Sequence, residues 1–230
     1  MVQDEISFTD LIASSIHDMK NSLNMQVSVL EKIALQCRDK GDAAMYDEMG
    51  GVIYQTSRMN FSLVELLSLY KLGKAIYPVD MDESCVVDVL QEAVMQTRFM
   101  MDHKGISVTL DCAPDCYWTM DRELIRGVLV NALNNAYHYT KDAIRMTALM
   151  HDKLLELRVE DNGAGFPAHM LLAGDVTSER AVNFETGSTG LGFYFSNQVA
   201  RLHKNGKRRG ALSLENGGAL GGGCFVIRLP

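Results

Sequence analysis

The decapeptide SIHDMKNSLN, residues 15–24, puts a histidine, an acid, a lysine and an asparagine within five positions of an otherwise amphipathic stretch. His17 follows the apolar Ile16, so it lies about 100° around a helix from the apolar stripe. Lys20 and Asn21 fall three and four positions on, beside His17 on the same surface, with Asp18 further round. By itself such a group reads as a solvated polar rim. Three later clusters are harder to explain by folding alone. In VLVNALNNAYHYT, residues 128–140, Asn131, Asn135 and His138 stack on one helix face at i, i+4 and i+7. Asparagine costs a helix about 0.5 kcal/mol relative to alanine, because its amide competes for backbone hydrogen bonds. Its amide oxygen is, however, a suitable hard ligand for Mg²⁺, which keeps several waters and bridges phosphate oxygens. In DNGAGF, Asp161 ends a strand pattern and could accept a hydrogen bond from an exocyclic amine such as adenine's. Gly163 and Gly165 would let backbone approach a flat ring. In GSTGLG, residues 187–192, glycine-rich backbone opens a helix and offers free N–H groups to phosphate. It is neither a P-loop nor a dinucleotide fingerprint.

The elements that must position these groups fall into two halves. Apolar residues at Phe8, Ile12, Ile16, Met19, Leu23, Val27, Leu30, Ala34 and Cys37 step by three and four, which predicts one long helix. A second stripe, Met45, Met49, Val52, Thr56, Met59, Leu63, Leu66 and Tyr70, keeps the 3.5-residue period of a coiled coil. With Gly41 breaking the chain between them, the two form a helical hairpin. Two helices cover two such stripes poorly, so the hairpin is expected to dimerise into a four-helix bundle rather than pack on its own chain. After Pro78 the pattern predicts helices at 83–102, from Asp121, and at 190–203. Strands are predicted at 106–110, 117–120, 144–149, 154–160, 211–215 and 224–229. The mixture reads as α+β: the hairpin over residues 1–74, then an α/β sandwich over 75–230 with helices on one face of a mixed sheet. The loop ENGGALGGG is expected to be mobile, HKNGKRRG to be a solvated loop, and His103, His151 and His169 to be surface residues without partners.

At 230 residues the chain can bury a real core, and its net charge of −7 argues against a protein built to coat nucleic acid. No apolar run is long enough to span a bilayer, and MVQDEISF is acidic where a secretory signal would be basic. Five cysteines, without metal-ligand spacing, read as reduced and cytosolic.

Together and in this order, the boxes resemble the catalytic core of a two-component sensor histidine kinase along nearly the whole chain. HDMKN resembles the phospho-acceptor box, NALNNAYHYT the N box, DNGAG the G1 box and GSTGLG the G2 box of a GHKL ATP-binding domain. The resemblance implies that His17 takes the γ-phosphate of ATP, with Asp18 orienting its imidazole. It implies Mg²⁺ on Asn135, Asn131 near the phosphates, and His138 and Tyr139 flanking the nucleotide. Asp161 would read the adenine amine, Gly163 and Gly165 line the base pocket, and Gly190, Leu191 and Gly192 hold the phosphates. Phosphate would pass to an aspartate of a response regulator receiver domain, and Asn21 would position water for the reverse phosphatase reaction. The implied protein is a cytoplasmic homodimer, expected to receive its signal from a separate sensor or signalling protein, or else to be a fragment of a longer chain. Three positions depart from the family pattern. Ser22 replaces a common proline, the 166–186 lid is short with no convincing F box, and His138 stands where lysine or arginine is usual. A kinase-deficient phosphotransfer or phosphatase protein, or a non-catalytic nucleotide-binding dimeric scaffold, therefore stay open as readings.

Overall fold

A computed structural model describes residues 8–171 and 190–230, side chains of 8–13 excepted. It divides into two compact units, Met1–Pro78 and Val79–Pro230.

In the first unit, helices α1 (Phe8–Asp39) and α2 (Ala43–Gly73) pack as a hairpin. Gly41, at φ 78, turns the chain, and Asp42 caps α2 by accepting a hydrogen bond from Met45 N at 3.1 Å. Helix α1 runs through Ser22 without a break, since serine keeps the backbone donor that a proline would remove. Ile16 and Ala34 of α1 are buried, as are Gly50, Ile53, Thr56, Ser57, Asn60 and Leu67 of α2. Asn60 Nδ2 donates to Asn24 Oδ1 at 2.6 Å, which ties the helices together near mid-length. The α2 stripe expected to be buried is only partly so. Met45, Val52, Met59 and Leu66 recur every seventh residue and remain 40–54% exposed. The hairpin itself covers a different, mixed line of α2, in which Ile53 and Leu67 alternate with small and polar residues.

The second unit contains β1 (Asp82–Cys85), α3 (Val86–Lys104), β2 (Ser107–Asp111), β3 (Tyr117–Met120), α4 (Arg122–Tyr139), β4 (Ala143–His151) and β5 (Leu154–Asp161). There follow α5 (Ala168–Leu171), α6 (Leu191–Leu202), β6 (Lys204–Asn205), β7 (Arg208–Arg209), β8 (Ala211–Asn216) and β9 (Gly223–Leu229). The main sheet has the order β2-β4-β5-β9-β8, with β2 parallel to β4 and the other pairs antiparallel. Alternation along β5 sets its two faces. Leu155, Leu157 and Val159 are buried with Ile125, Leu129, Ala132 and Ala136 of α4, at roughly 1.5–3 kcal/mol for each large side chain. Glu156, Arg158 and Glu160 lie on the opposite face and join Arg228 and Glu215 in an ion-pair ladder across β5, β9 and β8. Burial pushes the Glu156 carboxyl up, but Arg158 and Arg228 more than offset this and hold it below the usual range.

Two local expectations are corrected. Residues 83–85 extend rather than start α3, because β1 pairs antiparallel with β3, a partner more than thirty residues on. The basic stretch 203–210 is not simply a solvated loop. Lys204–Asn205 and Arg208–Arg209 form a two-residue hairpin around Gly206, and His203 is buried at 2% exposure. Its Nε2 accepts a hydrogen bond from Asp121 N at 3.1 Å, and Nδ1–H donates to Val199 O at 2.8 Å. Burial holds this imidazole below its ordinary value of 6.5. The folded form therefore binds a proton less readily than the unfolded chain. His203 contributes stability above about pH 6.5, which is lost as pH falls through and below that value. Melting this unit at pH 7.5 and 5.0 should show a loss at the lower pH that is smaller in His203→Gln; an equal loss in both would remove His203 from the account.

Candidate functional site

Helix α4 organises the site. Asp121 caps it, accepting from Leu124 N at 3.0 Å, and its buried stripe seats it on the sheet. Asn131, Asn135, His138 and Tyr139 follow one another down the C-terminal half. Asn131 is buried, Asn135 half-buried, and His138 and Tyr139 are exposed. Asn131 Nδ2 donates to Ser196 Oγ of α6 at 3.0 Å, and Ser196 Oγ donates to Gly192 O at 2.8 Å. A Cβ on Gly192 would collide with the Asn131 amide, so only glycine allows this approach. Asn131 thus clamps the start of α6 onto α4. Asn135 Nδ2 lies 3.4 Å from Asn131 Oδ1, which leaves the Asn135 oxygen as the amide acceptor not used within this pair.

One turn further along α4, the Tyr139 carbonyl closes over Gly163 so tightly that a Cβ there would clash with backbone. Asp161 is 6% exposed at the end of β5. Its Oδ1 accepts from Gly163 N at 2.7 Å and Gly223 N at 3.2 Å, which fixes the carboxylate and leaves Oδ2 as its second acceptor. Gly165, at φ 81, sits where a Cβ would meet the Asn216 amide. Gly190, at φ 62, begins α6, and Leu191 is its first helical residue. Gly187, Ser188, Thr189 and the lid segment 172–186 lie outside the described residues.

Other residues hold these groups in place and were not singled out from sequence. Asn162 Oδ1 accepts from Thr140 Oγ1 at 2.8 Å and from Lys141 N at 3.0 Å, tying the G1 loop to the end of α4. Asn216 brackets Phe166, accepting from its N at 2.7 Å and donating to its O at 2.9 Å. Both asparagines precede a glycine, and the Asn-Gly pair is a turn signal that could have marked them. The loop after Asn216, expected to be mobile, is tied down instead. Gly222 N donates to Asp161 O at 3.0 Å, Ala219 N to Glu160 Oε2 at 3.2 Å, and Gly221 N to Gly217 O at 2.9 Å. A surface cavity of about 400 Å³ lined by Gln198, Arg201, Leu202, Lys204 and Arg209 lies at the other end of α6 from Gly192.

In the first unit, His17, Asp18 and Asn21 share an exposed patch of α1. Asn21 Nδ2 lies 3.4 Å and Asp18 Oδ1 3.6 Å from His17 Nδ1, so both neighbours address the same ring nitrogen. His103, expected to lack a partner, stacks on Phe99 with ring centroids 6.3 Å apart.

Residues 120–230 match the profile of the "Histidine kinase-, DNA gyrase B-, and HSP90-like ATPase" family. Sensor protein SrrB of Staphylococcus aureus (strain MRSA252) is 24% identical over 227 residues, 96% of this chain and 38% of the relative. The chain therefore spans well under half the length of the curated relatives it matches. Among solved structures, full-length ShkA in complex with AMPPNP is similar with a TM-score of 0.61 at 19% identity, over 97% of this chain and 46% of that one. Histidine kinase AdeS of Acinetobacter baumannii is similar with a TM-score of 0.59 at 18% identity, over 90% of this chain and 96% of that one. The helical hairpin followed by an α/β sheet domain is the fold these likenesses carry. Among the described residues, no helix is long and apolar enough to cross a membrane.

Proposed function

From a chain that resembles the catalytic core of sensor histidine kinases and carries their ATPase domain over residues 120–230, we propose an ATP-dependent protein histidine kinase that autophosphorylates on His17. The observation that carries this reading is the convergence on α4: Gly192 closed over Asn131, and Gly163 closed over the Tyr139 carbonyl beside a buried, backbone-anchored Asp161. Such geometry suits a flat base and a polyphosphate laid against bare backbone. Asp161 Oδ2 accepts from the adenine amine. Gly163 and Gly165 line the base, His138 and Tyr139 flank the nucleotide, and Gly190, Leu191 and Gly192 present backbone donors to phosphate.

Mg²⁺ fits this donor set. Among the described residues there is no group of three or more His, Cys, Asp or Glu to cage a metal. A single amide oxygen from Asn135, completed by water and phosphate oxygens, is the coordination that Mg²⁺ favours. Bound there, the ion supplies charge neutralisation on the phosphates. Asn131, which also holds Asn135 and Gly192 in register, lies beside the phosphates.

With Asp18 and Asn21 both at Nδ1, Nε2 is the nitrogen that takes the γ-phosphoryl group. The N–P bond forms as the bond to the ADP oxygen breaks, and Asp18 stabilises the proton on Nδ1. The phosphoryl group then passes to an aspartate of a response regulator receiver domain. Asn21, one turn from His17, orients water for the reverse reaction. The exposed line Met45, Val52, Met59 and Leu66 is covered by a second copy in a four-helix bundle. The protein works in the cytoplasm, with residues 1–74 as the dimerisation and phosphotransfer domain and 75–230 as the ATP-binding domain.

Incubation with Mg²⁺ and γ-labelled ATP tests this directly. The native chain should acquire an acid-labile, alkali-stable label, and His17→Gln should acquire none. A native chain that binds nucleotide yet stays unlabelled would overturn the kinase reading.

A further inference from the structure

Three of the five cysteines, dispersed in the sequence, meet at one corner of the second unit. Cys85 ends β1, Cys112 follows β2, and Cys116 immediately precedes β3. The register of β1 against β3 pairs Cys85 with Tyr117, next to Cys116, and Val86 N donates to Cys116 O at 2.9 Å. The chain from Cys112 to Cys116 is a tight turn in which Cys116 N donates to Ala113 O at 3.2 Å. Cys112 Sγ lies 3.4 Å from Ala113 O, and Cys85 Sγ 4.0 Å from Pro114 O, so both thiols gather over the same turn. Cys112, Cys116 and Cys85 are close enough for their sulfurs to act on one another electrostatically. Cys116 is buried, whereas Cys85 and Cys112 are partly open to solvent. Among the described residues no cluster of this kind has the composition or spacing to hold a metal ion.

We propose that Cys112 and Cys116 are a redox-active dithiol that a peroxide-class oxidant converts to an intramolecular disulfide. The more open thiol reacts first. The Cys112 thiolate attacks a peroxide oxygen, the S–O bond forms, the O–O bond breaks, and the departing hydroxide takes up a proton to leave as water. The Cys116 sulfur then attacks the sulfenic sulfur, the S–S bond forms, and the hydroxyl leaves as a second water with the Cys116 proton. Two thiols lose two electrons in all, and one hydrogen peroxide becomes two waters. The turn is short and is closed by the Cys116 N–Ala113 O bond, which keeps the two cysteines on one small loop for the bridge to span. It also lies on the connection from β2 to β3, and β3 runs into Asp121, the cap of the helix bearing Asn131 and Asn135.

The reaction is slow at neutral pH. Burial first, then the Cys116 and Cys85 sulfurs and the Asp111 carboxylate, push the Cys112 thiol up to about 12, and Asp115 acts the same way on Cys116. Because only the thiolate attacks, the rate should rise roughly tenfold per pH unit between pH 7 and 9.

The test uses the full chain treated with hydrogen peroxide at pH 8.5, then alkylated and digested. The expected product is a single bridged peptide joining Cys112 to Cys116, lighter by two hydrogens and reversed by dithiothreitol, with Cys37, Cys85 and Cys224 still alkylated. Cys112→Ser, a change at a partly exposed position, should keep the fold by circular dichroism and form no intramolecular bridge. Five alkylatable thiols after treatment would overturn the assignment. So would a bridge from Cys85, or independent over-oxidation of Cys112 and Cys116.

Discussion

Asp161→Asn should weaken binding of a non-hydrolysable ATP analogue by roughly 30- to 1000-fold, about 2–4 kcal/mol, with little change in melting temperature. The size of the effect follows from how the carboxylate is held. Gly163 N and Gly223 N both donate to Oδ1, and an asparagine oxygen can replace that atom with both bonds kept. The second position then becomes an NH₂ group, a donor facing the donor on adenine. One favourable bond is lost and a donor–donor opposition is gained in a site 6% exposed, where water cannot relieve it. The same substitution should favour a base with a carbonyl at that position, so relative affinity should shift toward GTP. Calorimetric titration with both nucleotides, beside a thermal melt, checks this. Unchanged ATP affinity in a well-folded variant would remove Asp161 from base recognition.

The second large effect concerns oligomeric state. Val52→Glu with Met59→Glu should convert a dimer to a monomer in sedimentation equilibrium, weakening association by at least roughly 1000-fold. Both positions belong to the exposed line of α2, at 44% and 54% exposure, and neither is part of the buried line through Ile53, Ser57 and Leu67. The hairpin should therefore survive the change. Burying a valine or methionine side chain contributes roughly 1.5–3 kcal/mol, each substitution counts twice in a symmetric dimer, and a carboxylate in the seam adds a desolvation cost. A double variant that stays dimeric would mean that the second copy docks on another face.

The nucleotide-site expectation rests on α4, where side chains of unlike function share one helix. Its apolar stripe locks the helix to the sheet. Its polar face holds the α6 clamp through Asn131, and its C-terminal carbonyl closes over the loop after β5. A change at Asn131 should therefore be felt at the glycine cradle of α6 even where it touches no ligand.

Local pattern determined a great deal here. Periods of 3.5, 3.6 and 2 mark the two long helices, together with α4 and β5, because a period states how often the chain must turn an apolar side chain inward. Residue type at the boxes marked the chemistry, since bare glycine backbone, a strand-end carboxylate and helix amides have few other uses together. Pattern does not name a partner, and that is where tertiary structure decided. The apolar heptad line of α2 is largely left open, and the docking of α1 instead covers a mixed line through Gly50, Ile53, Ser57, Asn60 and Leu67. Residues 83–85 read as the start of a helix until β3, far along the chain, supplies hydrogen bonds that a helix end would lack. Glycines that read as a free hinge after Asn216 become fixed because Glu160 and Asp161, more than fifty residues earlier, hold their backbone donors. Asn131 also ties α4 to the start of α6, through Ser196 and Gly192 some sixty residues on. In each case the deciding bond joins residues distant in sequence, so its energy has no trace in any local window.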